Sequence, residues 1–209
     1  MKLLSESKLA IEGKLIASKT ALVCIHWQNE ITNPKYVFGS MFAGQVEKLE
    51  LVPRMIGLLA FARQRGLTII FVNVVFDKPP TQDSSNPAAR LAAEHGSCLR
   101  GSVSAAIVPE LGPKPGDIVC EHANGSAFYN TSLKAYLDER GIDTIAINGI
   151  ATNVAVDHTV RDALTLGYRT LLIEDCCCSS SAEFHDAALV TLRVLAADVV
   201  SADGFKSYF

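Results

Sequence analysis

Asp143-Thr144-Ile145-Ala146-Ile147-Asn148 runs directly into Gly149-Ile150-Ala151-Thr152-Asn153-Val154-Ala155-Val156. The reading of this junction decides the fold. The first six residues carry no charge after Asp143, as expected of a strand buried on both faces. The next eight open a run that reads as a helix over residues 153–166, stopped by Gly167. A Gly-small-Thr-Asn turn between a parallel strand and a helix lifts backbone N–H groups to the carboxyl edge of a sheet. Those groups and the helix N-terminus favour negative charge. An enzyme can hold a nucleophile or an oxyanion there. The residue set over this turn is Ala155.

Outward from the junction, strand and helix alternate. Residues 20–26, 67–76, 117–120, 168–175 and 198–201 read as further strands, with 143–148 the fourth in order. Apolar positions Val46, Leu49, Met55, Leu58, Leu59 and Ala62 recur near helical spacing. Pro53 lies inside that stretch, so the helix either starts near it or bends there, and Gly66 is a suitable C-cap. Residues 77–116 hold six prolines and a short helix over 88–94. A long segment at a carboxyl edge is read as a lid or binding wall. Asn130 or Thr131 caps the next helix, and Ser180 or Ser181 caps the last one, which runs to 197. The pattern predicts an α/β fold: a three-layer α/β/α sandwich around a six-stranded, mainly parallel sheet. Residues 1–18 are read as an N-terminal arm or peripheral segment, and 19–209 as one domain. In such sheets ligands sit beyond the carboxyl ends of the strands, near the switch in strand order. His26, Trp27, Gln28, Glu121, His122, residues 151–155 and residues 175–178 are therefore expected to gather.

Composition narrows the function. Hydrophobic residues make up 49% of the chain, enough for a full core. The net charge is −3 with no basic block, which argues against nucleic acid. No apolar run nears the length of a membrane span, and residues 1–8 have no apolar signal core, so a cytoplasmic location is expected. Cys24, Cys98, Cys120, Cys176, Cys177 and Cys178 show no zinc spacing and read as reduced thiols. The triple cysteine ends a strand at the same sheet edge. It reads either as a displaced nucleophile or as small, soft filling of tight space, the commoner role of buried Cys.

Four segments carry a resemblance to the isochorismatase-like, or cysteine hydrolase, superfamily, which includes nicotinamidases, N-carbamoylsarcosine amidases and isochorismatases. Residues 21–29, Ala-Leu-Val-Cys-Ile-His-Trp-Gln-Asn, resemble its first strand, which usually ends D-x-Q-N-D. Ser126-Ala127-Phe128-Tyr129-Asn130-Thr131-Ser132-Leu133 resembles its S-A-F-x-x-T-x-L. Gly149 to Tyr168 resembles G-x-x-T-N-x-C-V followed by T-x-R-D-A-x-x-x-G-Y. Glu174-Asp175 and His185 resemble its E-D and a following helical histidine. The match runs in register over residues 20–205.

The resemblance implies an Asp, Lys and Cys triad, a cis peptide at Ile150–Ala151, and an oxyanion site of backbone N–H groups around that turn. Here His26 stands at the Asp position and Ala155 at the Cys position. His122 stands at the Lys position, or Glu121 does if the turn is one residue longer. Alanine cannot be a nucleophile, so the thioester route of the amidases is closed. His26, His122 and Glu121 are the candidate acid/base groups. His26 is alternatively a neutral histidine bonded to a nearby carbonyl, and Glu121 and His122 alternatively belong to a solvated loop. Ile150, Ala151 and Asn153 are the candidate oxyanion and ligand-binding residues. Trp27 and Gln28 join them, Trp27 by stacking on a planar ligand or by packing, Gln28 more by fixing the loop. Arg161 and Asp162 are read as a structural ion pair.

No metal is expected, since Asp77-Lys78-Pro79 lacks the D-x-H of the metal-binding nicotinamidases, and no cofactor is expected either. The resemblance further implies a small-molecule substrate and a homodimer or homotetramer. The function expected is a hydrolase working without a covalent cysteine, or an inactive relative that binds a small ligand or partner.

Overall fold

A computed structural model describes residues 13–196 and 198–209. The part of the proposed arm formed by residues 1–12 lies outside the described residues. The strands are β1 (Thr20–Ile25), β2 (Thr68–Val74), β3 (Ile118–His122), β4 (Thr144–Ile150), β5 (Arg169–Cys178) and β6 (Asp198–Val200). They form one sheet in the order β3-β2-β1-β4-β5-β6, and every pairing is parallel. The chain winds outward from β1 through β2 to β3, then returns to lay β4 on the other side of β1. The switch point therefore falls between the carboxyl ends of β1 and β4.

The helices are α1 (Asn29–Thr32), α2 (Gly39–Lys48), α3 (Leu51–Arg65), α4 (Pro87–His95), α5 (Leu133–Glu139), α6 (Asp157–Thr165), α7 (Ala182–Leu195) and α8 (Ala202–Lys206). Strand alternation sorts the core into two layers. Leu22, Cys24 and Phe71 pack with Met55, Leu58 and Leu59 of α3 and Phe205 of α8. Val23, Ile25 and Val72 pack with Leu137 of α5, Val160 of α6 and Leu192 of α7.

Several boundaries differ from the sequence reading, for local reasons. Of the two alternatives at Pro53, a helix starting near it is the one found, preceded by the separate α2. Glu50 adopts φ 51° between them, and Pro53 sits in the first turn of α3, where its missing N–H costs nothing. Gly66 caps that helix at φ 74° and Ser181 caps α7 by accepting from the Phe184 amide, both as expected. A short helix, α1, follows β1 after three residues. β3 continues to His122 and β5 through Cys178. Leu15 is buried and its amide donates to the Tyr208 carbonyl, which ties the segment before β1 to the chain end. No helix among the described residues is long and apolar enough to cross a membrane.

Candidate functional site

β1 and β4 end in step, with Ile25 opposite Gly149. Gly149 lies at φ 131°, and a Cβ there would stand 2.1 Å from the Ile25 carbonyl oxygen. Only glycine lets the two strand ends approach so closely. Beyond this contact the chain turns sharply on both sides. His26 adopts φ 58°, and the Ile150–Ala151 peptide is cis. β4 then enters a turn of π-helix, Thr152–Val156, before α6. π-Turns inside helices are frequent at functional sites, and this one carries Ala155.

A cavity of about 430 Å³ opens over this junction. Ile150, Ala151, Val154, Ala155 and His26 form one side of it. Phe38, Met41 and Phe42 from the start of α2, with Val74 and Phe76 from the end of β2, form another. The segment after β2 closes it through Asn86 and through Ala88, Ala89 and Ala92 of α4, so the long proline-rich stretch forms one wall of the cavity.

His26 is brought against His122. Their Nε2 atoms lie 2.6 Å apart, and both side chains are buried. The Nδ1 of His122 lies 3.1 Å from the Ser126 carbonyl oxygen and donates to it. His122 then offers only a lone pair at Nε2, so His26 must donate its Nε2–H. The remaining nitrogen of His26, Nδ1, is the basic one. Burial pushes His26 well below the ordinary histidine range. His122 adds to that shift, and the Ile150 carbonyl opposes it. Burial likewise pulls His122 down to about 4, against the Ser126 carbonyl. At neutral pH the pair is uncharged.

Glu121 and Asn153 are corrected, while Trp27 and Gln28 take the packing and loop-fixing alternatives. Glu121 does not join the histidines. It precedes His122 on β3, so the pleat turns it outward, where it meets Arg100 at 2.6 Å. Trp27 does not face the cavity. It is fully buried in the core, donating its Nε1–H to Asn148 Oδ1. Gln28 is a clamp: its amide donates to the Val74 and Ala105 carbonyls and its Oε1 accepts from the Val74 amide. Asn153 is exposed and does not line the cavity; its side-chain oxygen accepts from Ser179 Oγ.

Other readings settle likewise. Thr152 pairs with His185 Nδ1 at 2.8 Å, bracing the turn against α7. Arg161 pairs with Asp157, one turn earlier on α6, and not with Asp162. Within the turn itself, the Ala151 carbonyl accepts from the Val154 and Val156 amides.

Cys176, Cys177 and Cys178 are buried inside the extended β5. Burial pushes Cys176 and Cys178 up to about 12 and Cys177 well above the ordinary thiol value, which suppresses the nucleophilic thiolate. His158, not singled out from sequence, also lines the cavity. Its Nδ1 lies 2.5 Å from where a Cβ on Gly125 would be, so Gly125 makes room for the imidazole. Its place three residues after Ala155, on the same helix face, was the available signal. No group of three or more His, Cys, Asp or Glu able to hold a metal ion occurs among the described residues.

Fold and cavity together define an α/β protein with a cavity at the switch point of a parallel sheet, the place where such folds bind ligands. The chain belongs to the isochorismatase family of hydrolases: the isochorismatase domain model matches residues 20–204. The uncharacterized isochorismatase family protein YwoC of Bacillus subtilis is 37% identical over 171 residues, covering 82% of this chain and 84% of that protein. The maleamate amidohydrolase of Pseudomonas putida is 28% identical, covering 88% of this chain and 83% of its own length. A cysteine hydrolase from Pseudomonas syringae superposes with a TM-score of 0.84 at 19% identity, covering 97% of each chain, a likeness of fold.

Proposed function

We propose that the protein hydrolyses a small molecule without a covalent cysteine, with His26 as the proton-transfer group and His122 as its positioning partner. The 2.6 Å contact between them, beside a cavity whose nucleophile position is Ala155, carries this reading. In the neutral pair His26 Nδ1 is the free base. It takes a proton from water as the oxygen attacks the electrophilic carbon, and the resulting imidazolium keeps one N–H on His122 Nε2. The Ile150 carbonyl favours the charged ring. The leaving group then receives that proton, which returns His26 to its starting form. Backbone N–H groups of residues 151–155, other than that of Val154, hold the negative charge that develops on the substrate oxygen. Glu121 has no part in it. Relatives named as amidohydrolases favour a C–N bond as the one cleaved. The protein acts as a cytoplasmic homodimer or homotetramer without metal or cofactor.

The test is a panel of amides, ureides and a vinyl ether assayed with the protein and with His26→Ala. Turnover of one panel member, reduced about 10²- to 10⁴-fold by the substitution, supports the reading. Turnover unaffected by His26→Ala overturns it. Absence of turnover with saturable binding of a panel member supports a second reading, an inactive family member that binds a ligand, which Ala155 itself favours.

A further inference from the structure

We infer that the cavity selects uncharged, largely apolar molecules and rejects carboxylates. This deepens the reading of the site just given, on which it rests only for where the reacting bond lies. Among the described residues that line the cavity there is no Lys, Arg, Asp or Glu. Its polar side chains are four: His26 and His158, Asn86 and Asn124. Amides and imidazoles match the donor and acceptor of a carboxamide or carbonyl end. The rest of the wall is phenyl, thioether and aliphatic surface from Phe38, Phe42, Phe76, Met41, Val74 and Ile31. Arg100, a cation on the segment that closes the cavity, is not among the lining residues. It is held between Asp77 and Glu121, each at 2.6 Å. With the backbone N–H groups of the turn occupied by the reacting carbonyl, a carboxylate elsewhere in this space would leave water without a cation to meet it, and an unpaired buried charge is costly. An uncharged ring or chain would instead gain from the apolar wall.

Benzamide and 4-carbamoylbenzoate differ by one carboxylate and serve as the matched probes. Calorimetric titration at pH 8 is expected to give at least about tenfold tighter binding of benzamide. Ala88→Arg places a cation on the exposed face of α4 at the wall. It is expected to narrow the preference at least about threefold by strengthening the carboxylate's binding. Equal or tighter binding of 4-carbamoylbenzoate by the unaltered protein overturns the inference, as does failure of both probes to bind.

Ammonia release is measured on the same samples. Benzamide bound preferentially, with no member of the amide, ureide and vinyl ether panel cleaved, leaves the selectivity standing and removes the hydrolase reading. Faster cleavage of 4-carbamoylbenzoate does the reverse.

Discussion

Replacing His122 by Gln should flatten the acid side of the stability curve. His122 is buried and pulled down from 6.5 to about 4. Between those values the unfolded chain binds a proton that the folded chain refuses, so stability rises with pH there and is lost as pH falls. At about 1.4 kcal/mol per pH unit, the 2.5-unit gap amounts to about 3 kcal/mol between neutral pH and pH 4. His26 is shifted in the same direction, partly by His122, so its own contribution also shrinks in the variant. Surface carboxylates act alike in both proteins and cancel in the comparison. Urea unfolding at pH 4, 5, 6 and 7 reads the effect directly. With a slope of about 2 kcal/mol per molar, the midpoint of the unaltered protein should fall roughly 1–2 M further than that of His122→Gln. Parallel curves would refute a pair kept neutral by burial. A curve in which the unaltered protein gains on the variant toward acid would mean that the folded pair holds a proton at neutral pH.

Gly149→Ala forces a side chain into φ 131° and against the Ile25 carbonyl. Backbone strain and overpacking together should cost about 3 kcal/mol or more, read by urea unfolding; a loss under about 1 kcal/mol would contradict the close approach of β1 and β4. Ala155→Cys alone should give little amidase activity, because His26 stands where the resemblance puts the aspartate that takes the thiol proton. Robust ammonia release by this variant would refute the non-covalent reading.

The sheet was legible because its signals are local. Uninterrupted apolar runs marked the six strands, and Gly66 and Ser181 marked helix ends through backbone requirements that act within one turn. The site was legible as an edge but not as a set of contacts. Glu121 and His122 stay alternatives in the sequence because the apolar run of the third strand ends at Cys120. Continued by two residues, the pleat alone sends Glu121 out and His122 in. Trp27 and Gln28 look like binding residues in isolation, and their roles depend on Asn148, Val74 and Ala105, far away in sequence. The cysteines of β5 gave no strand signal, since a small apolar thiol suits a loop as well as a packed edge.

The contact between His26 and His122 joins two buried groups that are both pushed toward the neutral form. The resemblance assigns an aspartate to one and a lysine to the other, a buried pair of opposite charges. Either charge alone beside this apolar cavity would be left uncompensated in a poorly solvating environment, which is costly. Two neutral imidazoles joined by one hydrogen bond avoid that penalty while keeping a group that can accept a proton. His122 spends its Nδ1–H on the Ser126 carbonyl and accepts the His26 Nε2–H, and the Ile150 carbonyl favours the charged form of His26. Burial opposes taking up a further proton, and the Ile150 carbonyl favours it. A group balanced in this way can hold a proton briefly and return it, as hydrolysis without a covalent intermediate requires.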